Sequence, residues 1–294
     1  MLGEIIIQGI ISGATYSLLA LGFALIFGAA RIVNLYHGSF YMLGAYFAYS
    51  FVSLGIPVGI AALLSLGLVG AVGILVFKII EPIRTKGVAV LIVTIGLAIL
   101  TQELLKLKFF YGSGNKSLPK FINIVSESGE KITNIKLLGA SVPTDRIFAF
   151  FIALLMIGVL WFFMERTKTG RAVMAVAQDE DAAMTVGVKP RIVNMVAIAL
   201  SAILAGVAGI VNAPFLPINN HMWLSPLIKA FAIVILGGLG SVWGSVMAAF
   251  ILSFAEAASN NLINPSFGGV VFLVVVLIML FVRPQGLMGK SLKF

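Results

Sequence analysis

Few side chains in this sequence have the type and spacing for covalent or metal chemistry. Its two histidines, His37 and His221, stand far apart and share no metal-ligand spacing, so each is expected to be an interfacial or packing residue. The absence of cysteine rules out disulfides, thiol catalysis, iron–sulfur clusters and zinc–thiolate sites. Gly289-Lys290-Ser291 has the look of the end of a phosphate-binding loop, but Pro284 stands where the loop's first glycine belongs and no strand precedes it. Asn260, Asn261 and Asn264 add polarity near one end of an apolar run without an acid, base or nucleophile beside them. No catalytic set, metal or cofactor is expected, and any nucleotide that drives this protein must bind on another chain.

The polar stretch 165–191 carries more information. It contains more helix-forming residues than a connection between two apolar runs needs. Thr169-Gly170 precedes an Ala-rich run from Arg171 to Gln178. Asp179, Glu180 and Asp181 can then cap the N–H groups of a second short helix containing Ala182 and Ala183, which Gly187 suits as a C-terminal stop. Pro190 keeps the next helix separate. On physical grounds alone, such a pair is either a solvated connector with local helices or a shape that docks into a cleft on a soluble partner.

The elements that position these residues are apolar. Hydrophobic residues make up 60% of the 294 residues and charged residues 11%, against roughly 25% charged in an ordinary soluble domain. Lipid is therefore the expected solvent. The net charge of +9 is scattered between apolar runs rather than gathered on one face, which reads as membrane topology and not as a nucleic-acid surface. Apolar runs at 5–28, 38–54, 58–80, 88–107, 147–164 and 192–213 predict six membrane helices. Runs at 227–239, 242–258 and 268–282 follow, and Gly237-Gly238-Leu239-Gly240 interrupts them, so the first of these reads as a half-helix or re-entrant piece. The expected fold is all-α, a single polytopic bundle of residues 1–294 with eight or nine spans. Glu4 near the start, where a signal peptide carries basic residues, predicts that the first run is retained as a helix.

Arg31, Arg84, Lys86, Arg166, Lys168, Arg171, Lys189, Arg191, Arg283, Lys290 and Lys293 all fall on one side if the runs alternate from an outside N-terminus. This predicts a cytoplasmic C-terminus and a cytoplasmic loop at 165–191. The long connection 109–144 is then external, although it carries Lys116, Lys120, Lys131 and Lys136 against Glu127 and Glu130; long loops translocate with little regard to charge.

Inside the first run, Gly9 and Gly13 form a GxxxG pattern extended by Ser17, which predicts close helix packing. Ser12, Thr15, Thr94 and Asn212 are candidate path-lining groups that packing explains equally well. Lys78, Glu103, Lys106, Lys229 and Glu256 are expected near span ends, where long side chains reach the interface. With no intramembrane series of acids, nothing suggests a proton relay.

Several motifs resemble one family. Arg31-Ile32-Val33-Asn34-Leu35-Tyr36-His37-Gly38 is similar to the signature after the first helix of branched-chain amino acid ABC permeases, which usually have Ala at the position of Tyr36. The run Gly170-Arg171-Ala172 through Gln178-Asp179 and Asp181-Ala182-Ala183 to Gly187 resembles the permeases' coupling loop, with Asp181 in place of Glu and without the closing Leu-Pro. Lys229-Ala230-Phe231 with Gly237, Gly238, Gly240 and Gly244 resembles the late glycine signature, and Arg283-Pro284-Gln285-Gly286-Leu287 the C-terminal one.

The resemblance, to the first of the family's two paralogous permease types, covers nearly the whole chain. It implies a bacterial or archaeal inner-membrane complex of this chain with a paralogous permease, two ABC ATPase subunits and an external substrate-binding protein. It favours the docking reading of 165–191. The cargo it implies is a branched-chain or other hydrophobic amino acid. Other neutral amino acids, urea or short-chain amides remain compatible, and an ATP-independent secondary transporter is the alternative of a different class.

Overall fold

A computed structural model of the chain describes residues 2–121, 124–125, 131–137, 139–264, 267–282 and 285–288. Among them eleven α-helices follow one another: α1 (Leu2–Ala30), α2 (His37–Ser53), α3 (Val58–Ile80), α4 (Gly87–Lys106), α5 (Thr144–Arg166), α6 (Lys168–Gln178), α7 (Glu180–Thr185), α8 (Pro190–Asn212), α9 (Leu224–Gly237), α10 (Val242–Leu262) and α11 (Gly268–Val282). Six of these, α1, α3, α4, α5, α8 and α10, are long and apolar enough to cross a membrane, while α9 and α11 are apolar but shorter. The chain is a multi-pass helical membrane protein. Arg283, Pro284 and residues 289–291 lie outside the described residues.

Helices α1 and α8 form the centre. Helix α1 packs on α10, α8, α5 and α9, and α8 packs on α2 and α3 as well. Small residues permit these approaches. A Cβ on Gly209 would lie 1.9 Å from the Tyr41 carbonyl oxygen, and one on Gly44 would lie 2.6 Å from that of Gly206, so α2 and α8 meet backbone to backbone. By contrast α3, α4, α5 and α11 expose rows of Leu, Ile, Val and Phe, as surfaces facing lipid or another membrane subunit must.

The connection between α1 and α2 enters the bundle interior. Residues 32–34 have no regular structure and α2 begins only at His37, whose ring contacts Leu19 and Ser201 in the middle of α1 and α8. Non-helical backbone at such depth is tolerated only where protein surrounds it. Here Asn34 Oδ1 accepts from Tyr36 N at 3.0 Å and Thr94 Oγ1 from Leu35 N at 3.2 Å. The apolar pattern placed a helix here without revealing this interior start.

The all-α expectation is incomplete. The 109–144 connection holds two antiparallel pairs, β1 (Ile124–Val125) with β2 (Lys131–Ile132), and β3 (Asn134–Leu137) with β4 (Ala140–Pro143). Lys116 exchanges backbone hydrogen bonds with Ile218, joining this connection to the one between α8 and α9. Short strands in a polar, Gly- and Ser-rich loop leave no apolar period for a sequence reading to detect.

Candidate functional site

Two sites stand out: the folded loop at 165–191 and a polar, half-open cavity between α1, α5 and α10. In the loop, Thr167 caps α6 by accepting from Gly170 N at 2.9 Å, which starts the helix at Lys168 rather than after Gly170. A Cβ on Gly170 would lie 2.1 Å from the Phe163 carbonyl oxygen. The sharp exit from α5 therefore requires glycine there. Asp179 caps α7, its Oδ1 accepting from Ala182 N at 3.0 Å, and Gly187 closes it at φ +84° with its N–H on the Met184 carbonyl. Ala183 packs inward, while Arg171, Gln178, Asp179, Asp181, Ala182 and Gly187 are exposed.

Sequence reasoning missed what surrounds this pair. Met184 and Val186 are exposed at 49% and 77%, an apolar tip in an otherwise polar segment, and that contrast was the available signal. Arg84, beyond the 3-10 turn Glu81–Ile83, bonds Glu180 through Nη2 at 2.5 Å. Arg191 at the start of α8 bonds Glu81 at 2.6 Å. The two ion pairs thus hold both helix α7 and the start of α8 to the α3–α4 connection.

The glycine motifs meet in space. Gly9 and Gly13 face Phe254, Phe250 and Ser253 of α10, and Ser253 Oγ donates to the Gly9 carbonyl at 2.7 Å. Gly237 and Gly244 touch across the α9–α10 turn, in which Gly238 and Gly240 have φ of +100° and +83° and Ser241 caps α10. Gly240 in turn rests on Gly28 of α1. Gly286, at φ +77°, fits beside Gly238, and the N–H groups of Leu287 and Met288 donate to the carbonyls of Leu236 and Gly237 at 2.8 and 3.0 Å. The late glycine signature and the described part of the C-terminal one form one corner. Gly38 lets α2 approach the Trp223 carbonyl at the start of α9.

The cavity, about 400 Å³, lies between Gln8, Ser12 and Tyr16 of α1, Arg146 of α5, and Ser253, Glu256, Asn260 and Asn261 of α10. At its wall Glu256 Oε2 accepts from Tyr16 Oη at 2.9 Å, and Oε1 accepts from Lys229 Nζ at 2.7 Å. The ammonium also donates to Tyr16 Oη at 2.5 Å and sits 4.4 Å from the centre of that ring. This corrects the expectation that Lys229 and Glu256 reach for the interface. Their side chains are only 19% and 15% exposed, because each neutralises the other inside the bundle and neither needs water. Of the other candidate lining groups, Ser12 borders the cavity. Thr15, Thr94 and Asn212 hydrogen-bond carbonyls of their own helices.

A family model described as "Branched-chain amino acid transport system / permease component" matches residues 5–280. The high-affinity branched-chain amino acid transport system permease protein LivH of Escherichia coli K12 is 28% identical over 298 residues, covering 96% of this chain and 94% of that protein. BraD of Pseudomonas aeruginosa, a permease of the same description, is 26% identical over 297 residues, covering 97% and 95%. LivM of Escherichia coli K12 is 29% identical over 306 residues, covering 94% of this chain but 68% of LivM. With the family model spanning almost the entire bundle, the chain belongs to the branched-chain amino acid transport system permease family.

Proposed function

We propose that this chain is the LivH-type permease subunit of an ATP-driven importer of branched-chain amino acids in a bacterial or archaeal inner membrane. The observation that carries this reading is the α6–α7 pair. Its caps, its exposed Met184 and Val186 and its Glu180–Arg84 ion pair to the bundle suit a rigid knob that fits a cleft on an ATPase subunit. Likeness to LivH over nearly the full length of both chains, against two thirds of LivM, supports assignment to the first permease type, with a LivM-type chain as partner. Two ATPases and an external binding protein complete the machine.

The membrane path is read as nine crossings, α1 to α5 and α8 to α11, with the N-terminus outside and the C-terminus cytoplasmic. Nine crossings place Arg31, Arg84 and the basic residues of 165–191 on one side, as retention of positive charge requires. ATP binding would close the two ATPases, and the knob would carry that motion into the spans, alternating access to a central path.

The test is uptake of labelled leucine by this chain reconstituted with its paralogous permease, the two ATPases and the binding protein. Uptake that requires every component is the expected result. Uptake by this chain alone under an ion gradient would replace the reading with a secondary carrier. Coupled ATPase activity with urea or an amide transported instead of leucine would replace the cargo.

A further inference from the structure

Charged side chains inside a membrane bundle are costly and are retained where they pair or line a water-filled path. The Lys229–Glu256 pair meets both conditions at once. Lys229 lies behind the wall, whereas Glu256 and Tyr16 border the cavity itself. A pair serving packing alone would be sealed on all sides. Here Glu256 borders the cavity, where a ligand can reach its carboxylate.

We propose that this cavity binds the zwitterionic head group of an α-amino acid, with Glu256 and Tyr16 receiving the α-ammonium and Arg146 the α-carboxylate. The inference rests on the amino-acid cargo proposed above and assigns that cargo a site in this chain. Each Glu256 oxygen accepts one hydrogen bond, from Tyr16 or Lys229, and a carboxylate has about four lone-pair positions, so capacity for an ammonium remains. Lys229 Nζ stays paired with one carboxylate oxygen from the far side of the wall. Arg146 stacks 5.2 Å from the centre of the Phe215 ring, and a stacked guanidinium keeps its N–H edges for a carboxylate.

The lining also says which part of the cargo enters. Ala257 is the apolar residue on a wall otherwise made of hydroxyl, amide and charged groups. The hydrocarbon side chain of leucine or valine is a poor match for that wall, so the site takes the head group. Carboxylate and guanidinium on one cavity match a molecule that carries both charges and disfavour urea or a simple amide, which carry neither.

Strand β4 and Glu4 border a second cavity of about 120 Å³ that shares Gln8 and Arg146 with the first. The head-group site thus continues toward the 109–144 connection, the face assigned to the outside, from which a binding protein would deliver its ligand.

The experiment measures leucine uptake per ATP hydrolysed in the complete reconstituted transporter carrying Glu256→Gln, Arg146→Gln, or the charge-exchanged double variant K229E/E256K. Both single variants should lower the ratio about tenfold or more, the loss expected for a charge-assisted contact. The exchanged pair should not restore it. Wild-type ratios in either single variant, or restoration by the exchange, would overturn the site and reduce the pair to packing. If Glu256→Gln fails to assemble, Tyr16→Phe keeps the ring beside Lys229 and removes only the hydroxyl. A severalfold fall in its ratio supports the site, and no change overturns it. A wild-type complex that moves no leucine would instead count against the proposed function.

Discussion

Arg84 Nη2 donates to Glu180 Oε1 at 2.5 Å, across 96 residues of sequence. The same guanidinium reaches Asn194: with its amide turned to satisfy both neighbours, Asn194 Oδ1 accepts from Arg84 Nη1 at 3.0 Å and its nitrogen donates to the Ala29 carbonyl at 3.2 Å. One side chain therefore joins helix α7 to the adjacent ends of α8 and α1. Those two helices form the centre of the bundle, so a displacement of α7 has a direct route to it.

Arg84→Ala is expected to weaken coupling: the ion pair with Glu180 adds little to stability, since both side chains are about one third exposed, whereas the buried Asn194 amide oxygen loses its donor, at about 1–3 kcal/mol. ATPase stimulation by the loaded binding protein should fall by about fivefold, roughly 1 kcal/mol of coupling. Glu180→Gln should produce a smaller fall, since Asn194 still holds Arg84. Unchanged stimulation in both variants would show that α7 transmits nothing through this contact.

The two glycines that shape the 165–191 segment should respond differently to substitution. At Gly170 any Cβ meets the backbone of Phe163 and Met164, which cannot turn aside, so Gly170→Ala should destabilise by about 3 kcal/mol. Gly187 has open space around its missing side chain and only its φ of +84° to protect. Gly187→Val should cost roughly 1–2 kcal/mol, and Gly187→Asn less, because Asn tolerates this region. Thermal unfolding of the purified subunit orders the three variants. Co-purification with the ATPases then shows whether Gly187→Val also impairs docking. A Gly170→Ala variant as stable as wild type would disprove the α5–α6 geometry.

The apolar runs made the helices legible: the expected runs at 58–80 and 268–282 coincide with α3 and α11, and the others fall within a few residues of α1, α2, α4, α5 and α8 to α10. Asp179 and Gly187 were legible as cap and stop because capping is chemistry among near neighbours in sequence. What escaped depends on contacts between distant residues. Hydropathy reports the length of a run but not its depth, so the interior start of α2 at His37 left no trace. The Tyr16–Lys229–Glu256 cluster joins three helices, and only a lysine and an acid in consecutive apolar runs hinted at it. Read singly, each resembled a side chain near a span end.

His37 offers the sharpest test of the bundle interior. It is fully buried, packed edge-to-face against Phe23 and Phe40, and admitted by Gly22, where a Cβ would lie 2.8 Å from the imidazole. Nε2 lies 2.9 Å from the Leu19 carbonyl oxygen, which can only accept, so Nε2 carries the proton. Ser201 Oγ lies 3.2 Å from Nδ1, and because a buried charge costs far more than a buried neutral ring, Nδ1 is assigned as the acceptor and the ring as neutral. Ser201→Ala should strand Nδ1 and destabilise by about 1–3 kcal/mol, and His37→Ala should cost about 3 kcal/mol through the void it leaves. In the double variant the two losses should add to less than their sum, because the hydrogen bond is counted in both. Nitrogen-15 shifts of the labelled imidazole in the intact protein decide the assignment. A single protonated nitrogen at Nε2 supports it, and two protonated nitrogens would mean that Ser201 accepts rather than donates and that a charge is buried at the core.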